Sequence, residues 1–174
     1  RGWPVPKVDG SVRPGGILTM ADRVVYAACV SACLPQIHPA LLWPDGPRDF
    51  SQQLSDRIDD VDWVRQPFTW HDFHNDTLSR VRTGAPYLLT IDIAAYADHI
   101  DHAILLSELK EIGAPSSAVE QLGACLARWA QVPGMGIPQG HGASDILYML
   151  YLHPIDRRLR ELGYTHSRCL DEFR

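Results

Sequence analysis

The sequence predicts an α+β fold, on three observations. Apolar residues recur at helical spacing through Val24, Val25, Ala28, Cys29 and Ala32, and again through Ile146, Leu147, Leu150, Tyr151, Ile155, Leu159 and Leu162. Two shorter runs, Tyr87 to Ile93 and Tyr164 to Leu170, read as strands, and each leads into carboxylates. The resulting order is hairpin, helix, strand, helices, helix, strand, which lacks the regular alternation of a parallel sheet. With 174 residues, 45% of them hydrophobic, the chain can bury one sizeable core or two small lobes sharing one.

Each element has a local reason. VPKVDGSVRP sets Asp9-Gly10 between short extended runs, a hairpin turn with Lys7 and Arg13 on its arms. Thr19 caps the first helix, with Asp22 three residues on, and Pro35 is expected to end it. The stretch that follows is Pro-rich and acidic and reads as irregular. Tyr87 to Ile93 is expected as a buried strand. Asp101 to Ile112 is helical and stops at Gly113. Pro115 opens the next helix, which runs to about Gln131, before Pro133-Gly134. Ser144 is expected to cap the long amphipathic helix that Gly163 stops. Tyr164 to Leu170 then forms a second central strand, ending at Asp171-Glu172.

Composition narrows the class. No apolar run is long enough to span a bilayer, and the start has no signal-peptide pattern, so no membrane role is expected. Four scattered cysteines suit a reducing cytoplasm better than a disulfide framework. The formal net charge of -5 argues against indiscriminate nucleic-acid binding, but only weakly. Acidic residues crowd Asp49 to Asp76, while Lys7, Arg13 and Arg23 gather near the start. The chain opens on Arg1 and stops soon after its last carboxylates, and is expected to be an excerpt of a longer protein.

The carboxylates carry the chemistry. If the two central strands pair, Asp92, Asp171 and Glu172 converge. Two or three carboxylates plus substrate phosphates make the usual site for Mg2+, or Mn2+. Such a site holds two ions about 3.5–4 Å apart. Gly136-Ile137-Pro138-Gln139-Gly140 is a loop whose glycines let backbone approach a ligand, with Gln139 able to meet a base or sugar edge. Lys7 and Arg13 can neutralise a triphosphate. Together these are the parts of a nucleotidyl transferase.

At this point the chain resembles the reverse transcriptases, of the bacterial kind related to group II intron, retron and abortive-infection enzymes. PKVDGSVRP is similar to the family's finger hairpin and ADRVVYAACV to the helix after it. DIAAYADHIDH is similar to the first catalytic motif, GIPQGHGASDILYMLYLHPID to the second and SRCLDEF to the Asp-Asp motif. RDFSQQL and the later WHDF resemble the abortive-infection branch more than the intron branch. The resemblance implies a right-hand polymerase, its palm an antiparallel sheet backed by helices, with fingers over residues 1–85 and palm over 86–174. Fingers elements return at about 113–135, and the thumb is absent from this sequence. It implies metal binding by Asp92, Asp171, Glu172 and the Ile93 carbonyl, and triphosphate contacts from Lys7 and Arg13. Gln139 and Gly140 would lie against template or nucleotide, with Tyr96 and Ala97 near the sugar. Implied partners are a dNTP or NTP and an RNA or DNA template and primer, or a protein primer, with a homo-oligomer as the assembly. The branch also implies a role in phage defence.

Three positions depart from the family pattern. Glu172 stands where the pair has its second aspartate, which keeps the charge but lengthens the arm. Cys169 stands where an aromatic is common, as a bland buried thiol. Ala97 occupies the position of the Phe or Tyr whose ring excludes a 2′-hydroxyl, so the site is expected to admit ribose unless Tyr96 fills the gap. Other readings compete. A polymerase-like module could bind nucleic acid or assemble with partners without catalysis, and Asp98, His99 and His102 could form a metal-dependent phosphohydrolase, although in the resemblance Asp98 and Asp101 fall at the start of a helix, where capping explains an acid. A zinc site from His71, His74, Cys29 and Cys33 is disfavoured. Trp63, Phe68, Trp70 and Phe73 are expected in the core.

Overall fold

The computed structural model describes residues 2–6 and 12–16 as backbone, and 17–42, 49–55 and 64–174 with their side chains. Strands β1 (Gly2–Pro6) and β2 (Val12–Gly16) pair antiparallel, Gly2 opposite Gly16 and Val5 opposite Arg13. The expected hairpin is therefore present. Its Asp9-Gly10 turn and Lys7 lie outside the described residues, as does Trp63.

Helix α1 (Met20–Ala40) starts where expected: the Asp22 N–H donates to Thr19 Oγ1 at 3.1 Å, and the Thr19 hydroxyl donates to the Asp22 carboxylate at 2.7 Å. It does not end at Pro35, because both Pro35 and Pro39 lie inside it. An interior proline costs a helix about 3 kcal/mol. Leu34 and Ile37, on either side of Pro35, are buried in the core, and each such side chain returns roughly 1.5–3 kcal/mol. Tertiary packing of this kind offsets the missing N–H.

The stretch read as irregular holds three elements. β3 (Gln53–Leu54) pairs antiparallel with β4 (Val64–Arg65), and α2 (Trp70–Arg82) follows. A reciprocal cap starts α2: the Thr69 N–H donates to Asp72 at 2.7 Å and the Asp72 N–H to Thr69 Oγ1 at 3.2 Å. Phe73 is wholly buried and Phe68 packs on Phe50, as expected of core aromatics, whereas Trp70 is exposed.

The second half positions the carboxylates. β5 (Ile91–Asp92) leads through a 3-10 turn (Tyr96–His99) to α3 (His102–Glu111) and α4 (Ser116–Trp129). Then come α5 (Gly142–Glu161), β6 (Arg168–Cys169) and β7 (Glu172–Phe173). The last sheet is antiparallel in the order β5-β7-β6. Two expectations change here. Tyr87 to Leu89 is not a buried strand: Tyr87 is 91%, Leu88 53% and Leu89 70% exposed, since β5 is an outer strand of two residues. Asp171 sits in the turn of a β6–β7 hairpin rather than at a strand's end.

The core lies among the helices. α1 packs on α4 and α5, and α3 packs on the same pair, enclosing Tyr26, Val30, Leu105, Leu122, Ile146 and Leu150. All four cysteines are free thiols. Among the described residues no helix is long and apolar enough to cross a membrane.

Candidate active site

The sheet register brings the first carboxylates together. Asp92 lies directly opposite Glu172, and the next residue, Ile93, donates its N–H to the Asp171 carbonyl at 3.1 Å. Opposed residues of an antiparallel pair project to one face, so Asp92 and Glu172 share a side of the sheet. The turn that carries Asp171 is tight: Leu170 has φ +59°, a left-handed conformation that a leucine adopts only where its surroundings hold it there.

The carboxylates are not equivalent. Asp92 is exposed, while Asp171 and Glu172 are half-buried. Glu172 Oε1 accepts from Arg174 Nε at 2.9 Å and Nη2 at 2.7 Å. Arg174 in turn lies over the Phe73 ring at 4.5 Å and the Trp70 ring at 5.4 Å, with His74 against its Nη1. Among the described residues no three His, Cys, Asp or Glu side chains are grouped to hold a metal ion. Burial, with the charges of Asp49, Glu172 and Asp171, pushes the Cys169 thiol's pKa up despite Arg174 nearby.

The Pro-Gln-Gly loop is clamped onto the turn after Asp92. Ile137 N–H donates to the Ala97 carbonyl at 3.0 Å and Gly136 N–H to Ile100 at 2.8 Å. Gln139 Nε2 donates to Asp98 Oδ1 at 3.1 Å, and His102 Nε2 to the Gly136 carbonyl at 2.7 Å. Gly136 has φ +83°, and a Cβ there would stand 3.2 Å from the Asp98 carbonyl oxygen. Ser144, expected as a cap, is instead buried in the first turn of α5, whose N-cap is His141. Its hydroxyl donates to the Pro138 carbonyl and also bonds Tyr26 Oη.

These contacts divide the DHIDH cluster. Asp101 caps α3, accepting from Ala103 and Ile104 N–H at 2.7 and 3.1 Å, as expected. Asp98 holds Gln139 instead of capping, and His99 Nδ1 lies 3.2 and 3.1 Å from the carbonyls of Ala94 and Ala95. With His102 turned to Gly136, Asp98, His99 and His102 do not form the metal set that a phosphohydrolase would need.

Tyr96 points inward. It is 5% exposed, its hydroxyl donates to the Tyr148 carbonyl at 2.7 Å, and its ring packs on Tyr148 and Tyr151. Burial pushes its phenol pKa well up. Its side chain thus serves the core, while Ala97 is half-buried beside the loop. Gln139 and Gly140 border different clefts. One, of about 650 Å3, is bounded by Leu18, Asp98, Trp129, Ile137 and Gln139. The other, of about 610 Å3, is bounded by Arg23, Arg65, Gly140, His141 and Asp145.

Sequence reasoning missed a buried ion network under the hairpin. Arg168, 1% exposed, pairs with Asp49 at 2.5 Å and donates to Asp156 at 2.8 Å, and His166 Nε2 bonds Asp156 at 2.9 Å. Burial opposes the Arg168 charge, but Asp49 and Asp156 outweigh it and raise its pKa. One signal was available: Asp156 lies on the apolar stripe of α5, four residues after Leu152 and three before Leu159, and a charge there requires a partner.

The family model described as reverse transcriptase (RNA-dependent DNA polymerase) matches residues 5–173. No curated protein gives a significant match.

Proposed function

The chain belongs to the reverse transcriptase family, and we propose that it is a nucleic-acid polymerase whose metal-binding pair is Asp92 and Asp171. The observation that carries this reading is the strand pairing that sets Asp92 opposite Glu172 and ties Ile93 to Asp171. The donor set fits a hard divalent cation: an exposed carboxylate on β5 and a second in the β6–β7 turn, beside a thiol whose pKa is raised. Mg2+ needs only one or two carboxylates where substrate phosphates complete its shell. When bound, Mg2+ or Mn2+ activates the attacking hydroxyl and neutralises the leaving pyrophosphate.

The chain's own residues position the reactants. Asp92 and Asp171, with the Ile93 carbonyl beside them, hold the cation site where the α-phosphate must lie. Lys7 and Arg13 take the triphosphate charge. Gln139, fixed by Asp98, and Gly140 meet the template or incoming nucleotide. Catalysis is then mainly positioning and charge stabilisation. Ala97 leaves room beside the sugar, and Tyr96 is held away by its bond to Tyr148, which favours relaxed sugar selectivity. The substrates are a dNTP or NTP. The acceptor is a 3′-hydroxyl or, with protein priming, a protein hydroxyl, and synthesis is RNA-directed or template-independent. The abortive-infection resemblance adds a cytoplasmic role in phage defence, with assembly as a homo-oligomer.

One observation favours a second reading. Arg174 already occupies an oxygen of Glu172, as expected of a catalytically silent module that only binds nucleic acid or partners. Incubating the full-length protein with Mg2+ and each labelled dNTP and NTP, with and without template, decides between them. The polymerase reading expects product that Asp92→Asn and Asp171→Asn abolish. Nucleic-acid binding with no product from wild type would favour the silent module.

A further inference from the structure

Beneath the carboxylate hairpin, one guanidinium joins three pieces of chain: α5, the segment of Asp49 and the Leu170 turn. Arg168 Nε donates to Asp156 Oδ2 at 2.8 Å, on α5. Nη1 pairs with Asp49 at 2.5 Å and also donates to the Leu170 carbonyl at 3.3 Å. Nη2 reaches the Met149 carbonyl at 3.4 Å. Both carboxylates are themselves anchored: Asp156 accepts from His166 Nε2 at 2.9 Å, and Asp49 Oδ1 accepts from the Ser51 N–H at 2.9 Å. The Arg168 backbone is fixed as well, its carbonyl accepting from Phe50 N–H at 2.7 Å. The assembly is dry, with Arg168 1% and Asp156 0% exposed.

We propose that Arg168 is a positioning residue for nucleotidyl transfer, setting where the Leu170-Asp171 turn stands relative to Asp92. Leu170, at φ +59°, is the strained residue of that turn and is the one whose carbonyl Arg168 holds. Asp171 follows it directly, and its own carbonyl accepts from the N–H of Ile93, the residue after β5. The guanidinium thus braces one side of the turn while β5 braces the other. Lysine cannot reproduce this. Its single ammonium lacks the planar fork that reaches two carboxylates and a carbonyl at once. The proposal rests on the reading of Asp92 and Asp171 as the metal-binding pair.

The test compares full-length wild type with Arg168→Lys and Asp49→Asn, which loosen the brace by different routes. Nucleotide incorporation gives kcat and KM, and Mn2+ titration followed by electron paramagnetic resonance reads the carboxylate site without turnover. Loosening a group that orients a metal ligand costs roughly tenfold or more in metal affinity or activity. The expected result is therefore a tenfold fall in kcat and weaker Mn2+ binding in both variants, with nucleotide KM within about twofold of wild type. If Arg168→Lys fails to fold, Asp49→Asn carries the comparison. Active wild type beside variants with unchanged Mn2+ affinity overturns the positioning role alone. Wild type that neither binds Mn2+ nor incorporates nucleotide overturns the polymerase reading, and this proposal with it.

Discussion

Glu172 gives a single carboxylate oxygen to two nitrogens of Arg174, at 2.9 and 2.7 Å, directly across the sheet from Asp92. A guanidinium thus neutralises one of the two carboxylates that share this face, so Arg174 opposes cation binding. Arg174→Gln is expected to tighten Mn2+ binding by a factor of about two to five, the range for a partly exposed ion pair. The same change removes the contacts with Phe73 and Trp70 and lowers stability by about 0.5–1 kcal/mol. A Mn2+ titration alongside a melting curve checks both, and unchanged or weaker affinity would count against the charge argument.

Ala97 is expected to set sugar choice. Ala97→Phe should raise the preference for dATP over ATP by about tenfold or more, the ring excluding the 2′-hydroxyl at a cost above 1.4 kcal/mol. Tyr96→Phe should leave that ratio unchanged and cost about 1 kcal/mol of stability, through loss of the buried bond to Tyr148. Competing incorporation of the two nucleotides measures the ratio. A strong deoxyribonucleotide preference in wild type that Tyr96→Ala abolishes would make Tyr96 the gate instead.

The loop clamp makes a separate prediction. Gly136→Ala forces a side chain onto φ +83° and brings its Cβ to 3.2 Å from the Asp98 carbonyl, at a cost of about 1–2 kcal/mol. Asp98→Ala releases Gln139 without that strain. Both should raise nucleotide KM, and Asp98→Ala should do so with little change in melting temperature. An unchanged KM in Asp98→Ala would remove Gln139 placement from substrate binding.

Asp156→Ala removes the carboxylate that Arg168 and His166 share in the interior, and is expected to cost about 3–5 kcal/mol. Urea denaturation gives this directly from the midpoint. A loss below about 1 kcal/mol would mean that the network is solvated rather than sealed.

Local chemistry written in one short stretch was legible from the sequence. The Thr19 and Asp101 caps, the β1–β2 hairpin and the ends of α3 and α4 each depend on a few neighbouring residues, and they form where expected. The α2 start was equally legible in Thr69 and Asp72, but the surrounding prolines and acids obscured it. What was not legible depends on distant partners. Pro35 does not stop α1, because Leu34 and Ile37 are buried against other helices. Asp98 looked like a cap until Gln139, far along the chain, took it. Asp49 is far in sequence from Asp156 and Arg168, and only the fold makes them one site. Glu172 was readable as a carboxylate in the right motif, whereas its capture by Arg174 was not.

The account turns on Asp92 as a metal-binding aspartate rather than a surface acid. The most direct measurement is incorporation of labelled nucleotide by full-length wild type, Asp92→Asn and Asp101→Asn in parallel with Mg2+. Asp92→Asn should lose at least about a hundredfold in rate, the scale of removing a metal ligand, while Asp101→Asn keeps most of the activity, because asparagine also caps a helix. Activity that persists in Asp92→Asn would contradict the account.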